Sequence, residues 1–286
     1  MKRLLIIGCG DIARRTIPLL AGHYRLYALV RNATRSTGLR EQGVTPVIGD
    51  LDSRKRLSKI AGLADVVLHL APPPNTGTGD NRTRHLLAAL SQGALPKRFI
   101  YISTSGVYGD SGGAYVDETR PVHPITARAQ RRVDAEQQIR CWAKRNGVQA
   151  TILRVPGIYA AERLPLERIR TGTPALVAAE DGYTNHIHAD DLARIIVAAL
   201  QRGKPNRVYH ASDDGVMKMG DYFDVVADAY RLPRPPRIGR AEAQRVLSES
   251  LLSFVNESRR LVNGRMKREL GVRLKYPTVM EILSGR

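Results

Sequence analysis

The sequence predicts an α/β protein with a doubly wound, parallel central sheet of about seven strands. Short aliphatic runs alternate with longer polar, helix-like stretches through the first two-thirds of the chain. These runs are continuously apolar, as expected of strands that are buried on both faces. The predicted strands are RLLIIG (3–8), RLYALV (25–30), VTPVIG (44–49), DVVLHLA (65–71), RFIYIS (98–103), QATILRV (149–155) and NRVYHAS (206–212).

Helices are predicted between these strands, so that two strands and the helix between them form a parallel βαβ unit. Gly147 and Gly203 are expected to stop the last two helices, and Asp190 is expected to cap the final one at its N-terminus. The predicted helices span residues 11–21, 53–62, 80–93, 126–146 and 190–201.

Beyond residue 212 the pattern changes to short helical segments interrupted by prolines, which predicts a smaller second lobe. The segment 157–184 is rich in proline and glycine and is expected to join that lobe. We therefore predict a larger domain of residues 1–156 and 185–212, and a smaller substrate lobe of residues 157–184 and 213–286. A chain of 286 residues is long enough to bury a sizeable core in such a domain.

The net charge of +18 would suit an acidic partner such as a nucleic acid. However, the basic residues are spread along the chain without a polybasic block. Aromatic residues make up only 5% of the chain, which leaves few platforms on which bases could stack. Nucleic-acid binding is therefore not favoured, whereas a small anionic ligand fits the charge.

The N-terminal MKRLLIIG resembles a signal peptide, but its apolar run of four residues is shorter than the roughly 7–15 of a signal core. We interpret it as the first strand. No run approaches the ~20 apolar residues of a membrane span, and two cysteines cannot build a disulfide framework. We therefore expect a cytoplasmic protein that does not interact with membranes.

The stretch GCGDIA directly follows the first strand and opens a helix, which is the context of a dinucleotide-binding turn. Gly8 permits the tight turn, Gly10 lets the backbone approach a pyrophosphate, and Ala13 allows the helix to pack closely on the strand. Asp11 and Ile12 begin the helix, whose N-terminal N–H groups can bind phosphate. The sequence therefore predicts a Rossmann-type NAD(P)-binding domain, and the alternative is an ordinary glycine turn.

The end of the second strand favours NADP over NAD. A carboxylate at this place binds the 2′-hydroxyl of NAD, whereas an arginine suits the 2′-phosphate of NADP. The sequence LVRNATR contains no acid. Arg31 offers a forked cation, and Asn32, Thr34 and Arg35 offer further donors nearby. In the alternative, Arg31 is simply exposed beyond the strand and the site accepts either cofactor.

Two further strand ends are expected to contact the cofactor, because ligands of open α/β sheets bind outside the carboxyl ends of the strands. GDLD follows the third strand, where Asp50 and Leu51 are predicted to flank the adenine. HLAPPP follows the fourth, where Ala71, Pro72 and Pro73 are predicted along the ribose and nicotinamide. Asp50 is also a candidate cap for the next helix.

Together these motifs resemble the extended short-chain dehydrogenase/reductase superfamily, specifically its NAD-dependent epimerase/dehydratase branch. The resemblance runs nearly end to end. It also rests on ISTSGVYGD (102–110), ILRVPGIYA (152–160), NHIHADDLARIIVAAL (185–200) and a closing segment at 258–283.

This resemblance implies an NAD(P)-dependent epimerase, dehydratase or reductase that acts on a nucleotide sugar or a related phosphorylated carbonyl or hydroxyl compound. It also implies cofactor contacts from Pro156 and Ile158. Relatives commonly dimerise through two helices of the Rossmann domain, so a homodimer is an expectation.

In this family the chemistry is carried by a Tyr and a Lys four residues apart on a long helix, and by a Ser or Thr that ends the preceding strand. The Tyr exchanges a proton with the substrate, while the Lys assists it and holds the nicotinamide ribose. Alignment on STSGVYG places Thr104 at the Ser/Thr position. The Tyr and Lys positions fall on Arg128 and Arg132, which cannot serve as general bases at neutral pH.

The resemblance thus implies an atypical member that keeps the cofactor machinery and lacks the usual proton donor. Arg132 is predicted to hydrogen-bond the ribose, and Arg128 is predicted to bind an anionic group of the substrate. Tyr108, four residues after Thr104, is the best substitute acid by position, although in relatives such a Tyr more often packs against its neighbours. If the alignment slips by one helical turn, Arg132 instead pairs with Glu136 on a solvated surface.

Two other features leave alternatives open. The missing Tyr and Lys also fit a non-catalytic NADP(H) sensor whose cofactor changes a protein contact. His186 and His188 precede Asp190 in a stretch that lies near the cleft in relatives, but a strand entering a capped helix explains them as well. No second group of ligands accompanies these histidines, so no metal site is predicted.

Overall fold

The computed structural model describes residues 1–32 and 37–284, so Thr34 and Arg35 lie outside the described residues. The seven predicted strands are all present, with small shifts at their ends. In chain order the strands are β1 (Lys2–Ile7), β2 (Tyr24–Val30), β3 (Val44–Ile48), β4 (Val66–His69), β5 (Arg98–Thr104), β6 (Tyr115–Val116), β7 (Gln149–Val155), β8 (Gly157–Tyr159), β9 (Ala175–Leu176), β10 (Tyr183–Thr184), β11 (His186–His188), β12 (Arg207–His210), β13 (Met217–Lys218), β14 (Arg237–Ile238) and β15 (Arg260–Leu261).

The helices follow the predicted alternation, with additional short helices in the second half of the chain. Three further segments form 3-10 helices, at Arg54–Ile60, Ser105–Tyr108 and Ala161–Arg163. The α-helices are α1 (Asp11–Leu20), α2 (Thr37–Glu41), α3 (Asn81–Leu90), α4 (Ala127–Asn146), α5 (Leu166–Arg170), α6 (Ala189–Arg202), α7 (Met219–Ala229), α8 (Arg240–Val246), α9 (Glu249–Val255), α10 (Gly264–Leu270) and α11 (Met280–Leu283).

The central sheet has the order β12-β7-β5-β4-β1-β2-β3, and all of its pairings are parallel. The order of the strands reverses direction at β1, which lies between β4 and β2. This arrangement opens a crevice at the carboxyl ends of β1 and β4, the topological switch point where open α/β sheets bind ligands. The prediction of a doubly wound parallel sheet is confirmed.

Helices cover both faces of the sheet, and β1 shows how the strands are buried. Leu4 and Ile6 pack into one layer with α1, α6 and α10, whereas Leu5 and Ile7 pack into the other with α3, α4 and the 3-10 helix after β3. The strands are therefore apolar at successive positions because each face meets its own helical layer.

Some local predictions differ from the structure. The helix predicted at 53–62 is a 3-10 helix, and α2 was not predicted. Gly147 ends α4 in the left-handed region, with φ of 65°, but Gly203 ends α6 with φ of −58°. The cap of α6 is His188 rather than Asp190, because the Nδ1 atom of His188 accepts the Asp190 N–H at 3.1 Å.

Apolar clusters outside the sheet lie among residues of the predicted smaller lobe. One joins Tyr159 and Ile169 to Phe223 of α7 and Leu283 of α11. A second cluster gathers around α8 and α9. Helix α10 differs from the predicted division, since Met266 and its neighbours pack into the layer beside the sheet although they follow residue 213. The lobe therefore does not contain the whole segment 213–286.

Among the described residues, no helix has the length and apolar character needed to cross a membrane.

Candidate functional site

A groove of about 530 Å³ follows the carboxyl ends of β1, β2, β3 and β4 at the switch point. It brings together the four strand-end motifs that the sequence predicted to contact a cofactor. The predicted cofactor residues that line it are Gly8, Gly10, Arg31, Asn32, Asp50, Leu51, Ala71 and Pro72.

Gly8 is required by the way β1 and β4 approach each other. Its φ is +96°, and a Cβ atom built there would lie 2.5 Å from the backbone nitrogen of Ala71. Gly10, in contrast, is not crowded by its neighbours, because a Cβ atom built there would meet nothing within 4 Å. Gly8 thus closes the turn against the next strand, and Gly10 leaves open space beside it. These two glycines fit the cradle that a diphosphate needs.

Helix α1 begins at this cradle. Its first backbone bond in the α-helical pattern runs from the Arg14 N–H to the Gly10 carbonyl oxygen at 3.1 Å, so the preceding N–H groups are available at the helix N-terminus. Ala13 is buried in the layer beside the sheet, and Ile12 packs partly against the same layer. Asp11 is exposed and pairs with Arg15 at 3.0 Å.

A second pocket of about 320 Å³ opens next to Arg31 and extends along the 3-10 helix after β3. Arg31 lines both this pocket and the groove. Lys55, Arg56 and Lys59 also line the second pocket, and its described lining contains no acid. The strand-end arginine therefore belongs to a cluster of four cations, three of which sequence reasoning did not connect to it.

Asp50 and Pro73 each accept a hydrogen bond from a nearby residue. The Asp50 carboxylate accepts the Asp52 N–H at 3.0 Å, while Ser53 begins the following 3-10 helix. The expectation that Asp50 caps that helix is therefore wrong, since its carboxylate closes a tighter turn two residues away. Pro73 is buried, and its carbonyl oxygen accepts from Arg82 at 3.3 Å.

Arg82 is a groove residue that sequence reasoning missed. It reaches from α3 to Asp52 through two hydrogen bonds of 2.7 Å, and it also donates to the carbonyl oxygen of Pro72. The Arg82 guanidinium holds the pKa of Asp52 below its usual range. No local sequence pattern predicts the contact between Arg82 and Asp52, because the two residues lie on different elements.

A cleft of about 320 Å³ adjoins the carboxyl end of β5. Thr104, Arg128, Arg132 and Pro156 line it, as the resemblance implied for a substrate and nicotinamide site. Ile158, by contrast, is half-buried and packs against the layer beside the sheet.

Arg132 faces the cleft and is anchored from below. Its Nη1 atom donates to the carbonyl oxygen of Ile102 at 2.7 Å and to the hydroxyl of Tyr101 at 3.0 Å. Glu136 binds Arg154 instead, through buried hydrogen bonds of 2.7 and 3.1 Å. The alternative in which Arg132 pairs with Glu136 on the surface is therefore wrong.

Tyr108 does not reach the cleft, which contradicts its prediction as the substitute acid. Its side chain is buried, and its hydroxyl lies 2.6 Å from the Nε2 atom of His210 and 2.7 Å from an Arg154 donor. Burial raises the pKa of Tyr108 to about 12. Because a packed phenol without access cannot exchange a proton with a substrate, we assign Tyr108 to the support of β7 and β12.

The far wall of the cleft comes from the smaller lobe and contains residues that sequence reasoning missed. Arg128 places its guanidinium carbon 4.5 Å from the centre of the Phe254 ring. Glu257 and Arg259 form an ion pair of 2.7 Å that is largely buried. Only a structure could bring this late segment to β5 and α4, since no spacing in the sequence connects them.

Burial shifts the pKa of one group that lines the cleft and of a second group that is hydrogen-bonded to it through the backbone. His186 lines the cleft with its ring 4.2 Å from that of Tyr222, and burial lowers its pKa to about 4. The backbone N–H of Asp213 donates to the carbonyl oxygen of His186 at 2.8 Å, and burial raises the pKa of Asp213 to about 8. No group of three potential metal ligands occurs in the described part of the chain.

Comparison with known proteins agrees with this geometry. The model of the NAD dependent epimerase/dehydratase family matches residues 4–212. The dTDP-glucose 4,6-dehydratase of Mycobacterium tuberculosis strain H37Rv is 27% identical over 197 residues, which cover 61% of this chain and 59% of that enzyme. The match thus spans about three-fifths of the length of this curated relative.

Solved structures share the fold over the whole chain. A conserved protein of unknown function from Silicibacter pomeroyi is 30% identical with a TM-score of 0.81, and the alignment covers 100% of this chain and 98% of that one. The dTDP-glucose 4,6-dehydratase of Streptomyces venezuelae, solved with bound NAD, is 20% identical with a TM-score of 0.77, covering 99% of this chain and 95% of that enzyme.

Proposed function

Because the chain belongs to the NAD-dependent epimerase/dehydratase family, we propose that it is an NADP-dependent oxidoreductase acting on a nucleotide sugar or a related phosphorylated carbonyl or hydroxyl compound. The observation that carries this proposal is the adjacency of groove and cleft. Only β4 separates β1 from β5 in the sheet, so Gly8 and Thr104 follow strands about 10 Å apart. A dinucleotide in the groove can therefore present its reactive end to a substrate in the cleft.

The residues present fit NADP. The open space at Gly10 and the N-terminus of α1 would hold the diphosphate. The cluster of Arg31, Lys55, Arg56 and Lys59 would hold the 2′-phosphate, and this cluster supports NADP over NAD. Bound at this place, the cofactor supplies the hydride acceptor or donor that the reaction needs.

The chain's own contribution to the chemistry centres on Thr104. Its Oγ1 atom accepts the Gly106 N–H at 3.2 Å, so the hydroxyl hydrogen is available to donate to a substrate oxygen in the cleft. Such a donor stabilises charge that develops on that oxygen. Arg132, fixed by the Ile102 carbonyl group, would hold the nicotinamide ribose in place of the family's Lys. Arg128 would bind an anionic part of the substrate.

The direct test is turnover. We would incubate the protein with NADPH, or with NADP⁺, and a panel of nucleotide sugars and phosphorylated carbonyl compounds, following absorbance at 340 nm and the sugar products by chromatography. Thr104→Ala should lower kcat by roughly 10²–10³-fold without changing NADP⁺ affinity, whereas Thr104→Ser should keep most of the activity. Equal turnover of the alanine variant, or no conversion of any substrate, would contradict the proposal.

A non-catalytic NADP(H) sensor is the second candidate, and the arginines at the Tyr and Lys positions favour it. In that case binding of NADPH should change how residues 157–183, which connect the sheet to the lobe, are exposed to protease. Limited proteolysis with and without NADPH separates the two functions when it is combined with the turnover assay. Protection without turnover supports the sensor, and an unchanged cleavage pattern argues against it.

We also propose a homodimer in the cytoplasm. The family resemblance supports the dimer, and the absence of a disulfide between Cys9 and Cys141 in the described chain fits a reducing compartment. Size-exclusion chromatography coupled to light scattering measures the oligomeric state. A mass that corresponds to one chain would rule the dimer out.

A further inference from the structure

Arg128 is a cation in the cleft for which the described residues provide neither a hydrogen bond nor an ion pair. Its guanidinium lies over the Phe254 ring, which supports the flat face and leaves the donors at its edge exposed to the cleft. Burial lowers the pKa of Arg128, Glu257 opposes this in part, and the neighbouring Arg132, Arg131 and Arg259 lower it further. An anion at the edge of this guanidinium would compensate both effects.

Arg259 also lines the cleft, and the hydrogen bonds that its guanidinium donates to Gly109 and Glu257 both come from one nitrogen. Its side chain is about 90% buried, and its Nη1 atom is taken by the carbonyl oxygen of Gly109 at 2.8 Å and by Glu257 at 2.7 Å. Its Nε atom is buried without a hydrogen-bond partner among the described residues. A buried donor of this kind is costly unless a ligand satisfies it.

The charge of the cleft matches a singly charged group. Three arginines line it, at 128, 132 and 259, against two carboxylates, Asp181 and Glu257, which leaves one positive charge in excess. The cofactor's own phosphates do not account for this excess, since their cradle follows β1, about 10 Å away across β4. A carboxylate on the substrate would neutralise this excess.

We propose that the substrate carries a carboxylate on the sugar ring that reacts, and that Arg128 and Arg259 bind this group. The inference rests on the proposed function and narrows its substrate to an acidic sugar. Planar guanidinium groups recognise carboxylates through paired hydrogen bonds, and a ring beneath the guanidinium fixes its orientation. Arg128 would then distinguish the acidic sugar from its neutral counterpart, which differs only by a hydroxymethyl group in place of the carboxylate.

The experiment compares matched ligands on the protein saturated with NADP⁺. Isothermal titration would measure the Kd of UDP-glucuronate against UDP-glucose, and of free glucuronate against free glucose, while cofactor binding is recorded separately by NADPH fluorescence. We expect the acid of at least one pair to bind at least tenfold more tightly than its neutral partner. Arg128→Gln should abolish that preference without changing the Kd of NADPH.

Arg145→Gln is the matched control, because it removes one arginine charge from an exposed position on the same helix. It should leave the preference intact. If only the free acid binds, the nucleotide part of the proposed function fails while this inference stands. If no acid binds better than its neutral partner, or if Arg128→Gln retains the preference, the inference is overturned regardless of the result with NADPH.

Discussion

The cofactor groove and the adjoining cleft lie on the same edge of one sheet, but they are built from different parts of the chain. The groove is formed by backbone at the ends of consecutive strands, with Gly8 and Gly10 as its centre. The cleft is formed by side chains from β5, α4 and the late segment that carries Phe254 and Glu257. A site built from backbone depends on few side chains, whereas a site built from side chains can change its chemistry while the fold remains.

The two regions also treat charge differently. In the groove, Arg82 and Asp52 form a two-point ion pair near the surface, whereas Arg31 joins a cluster of cations whose described lining contains no acid. In and below the cleft, burial shifts the pKa of His186 to about 4 and that of Asp213 to about 8. Groups with shifted pKa values gather at functional sites, so the cleft retains the electrostatic character of an active site although arginines occupy the Tyr and Lys positions.

The largest expected effect concerns the support beneath the cleft. Glu136→Gln removes the partner of Arg154, in an ion pair whose side chains are only 4% and 5% exposed. Because a buried guanidinium without its carboxylate is strongly unfavourable, the free energy of unfolding should fall by about 3–5 kcal/mol. Denaturant unfolding measures it. Asp228→Asn, which removes the partner of Arg234 in an exposed pair, should change stability little.

Tyr108 belongs to the same buried network as Glu136 and Arg154, and a variant at this position shows whether it stabilises the fold or takes part in the reaction. Tyr108→Phe removes a hydroxyl that contacts His210 and Arg154, and it should lower stability by about 1–2 kcal/mol with turnover retained in the folded fraction. If Tyr108→Phe is as stable as wild type but has no turnover, Tyr108 acts as the catalytic acid. The residues beneath the cleft would then not be purely structural.

The next effect is a pH dependence of stability that comes from Asp213, which is bonded through its backbone to the cleft residue His186. Since the pKa of Asp213 is raised to about 8, the folded protein holds a proton that the unfolded chain releases above about pH 4. The stability that this proton provides is complete below about pH 4 and is lost as the pH rises to about 8. At about 1.4 kcal/mol per pH unit, this shift would cost the wild type about 5 kcal/mol relative to Asp213→Asn, and water that reaches the ionised carboxylate should reduce the loss to roughly 2–4 kcal/mol.

Unfolding curves at several pH values for wild type and Asp213→Asn isolate this group, because other titrations cancel in the difference. The neighbouring Asp214→Asn is the control, since Asp214 is partly exposed and pairs with Lys267. Parallel curves for wild type and Asp213→Asn would show that Asp213 is ionised in the folded protein.

This comparison also explains how much the sequence could predict. The seven strands, their parallel arrangement and the glycine turn were predictable because each depends on contacts within a short stretch: apolar runs, and the strand–turn–helix order around Gly8. Thr104 and Arg132, which were located from local motifs, both line the cleft, and the roles predicted for them stay predictions. The match with the family confirms the resemblance.

Long-range contacts were not predictable. Nothing near Arg82 indicates that it reaches Asp52, and nothing near Glu257 indicates that it lies beside Gly106. Tyr108 shows the reverse error, because a motif gave its position along the chain but not the direction of its side chain. Burial by β7 and β12, which come later in sequence, decided that direction.

In the groove, Gly8→Ala should have a smaller effect on stability than the loss of Glu136. The added Cβ atom meets the backbone at Ala71, and φ of +96° disfavours any side chain. Together these should cost about 2–3 kcal/mol in the free energy of unfolding, with loss of NADPH binding. Gly10→Ala is the matched control, because φ is −84° and the space is open. It should keep stability and weaken NADPH binding only, and equal destabilisation by both changes would contradict the packing argument.

The last prediction tests a part of the groove that depends on side chains. Arg31→Gln removes a cation from the pocket that Lys55 and Lys59 also line. The Kd of NADP⁺ should therefore rise roughly 10–100-fold, which corresponds to about 1.4–2.7 kcal/mol. The Kd of NAD⁺ should stay unchanged. Fluorescence titration at fixed ionic strength measures both. Arg25→Gln, at the opposite end of β2, is the control and should change neither. If wild type binds both cofactors equally, or if Arg31→Gln weakens both, Arg31 is not a selective 2′-phosphate ligand. The cofactor would then be chosen without the cation cluster, and the contrast between a groove built from backbone and a cleft built from side chains would be sharper.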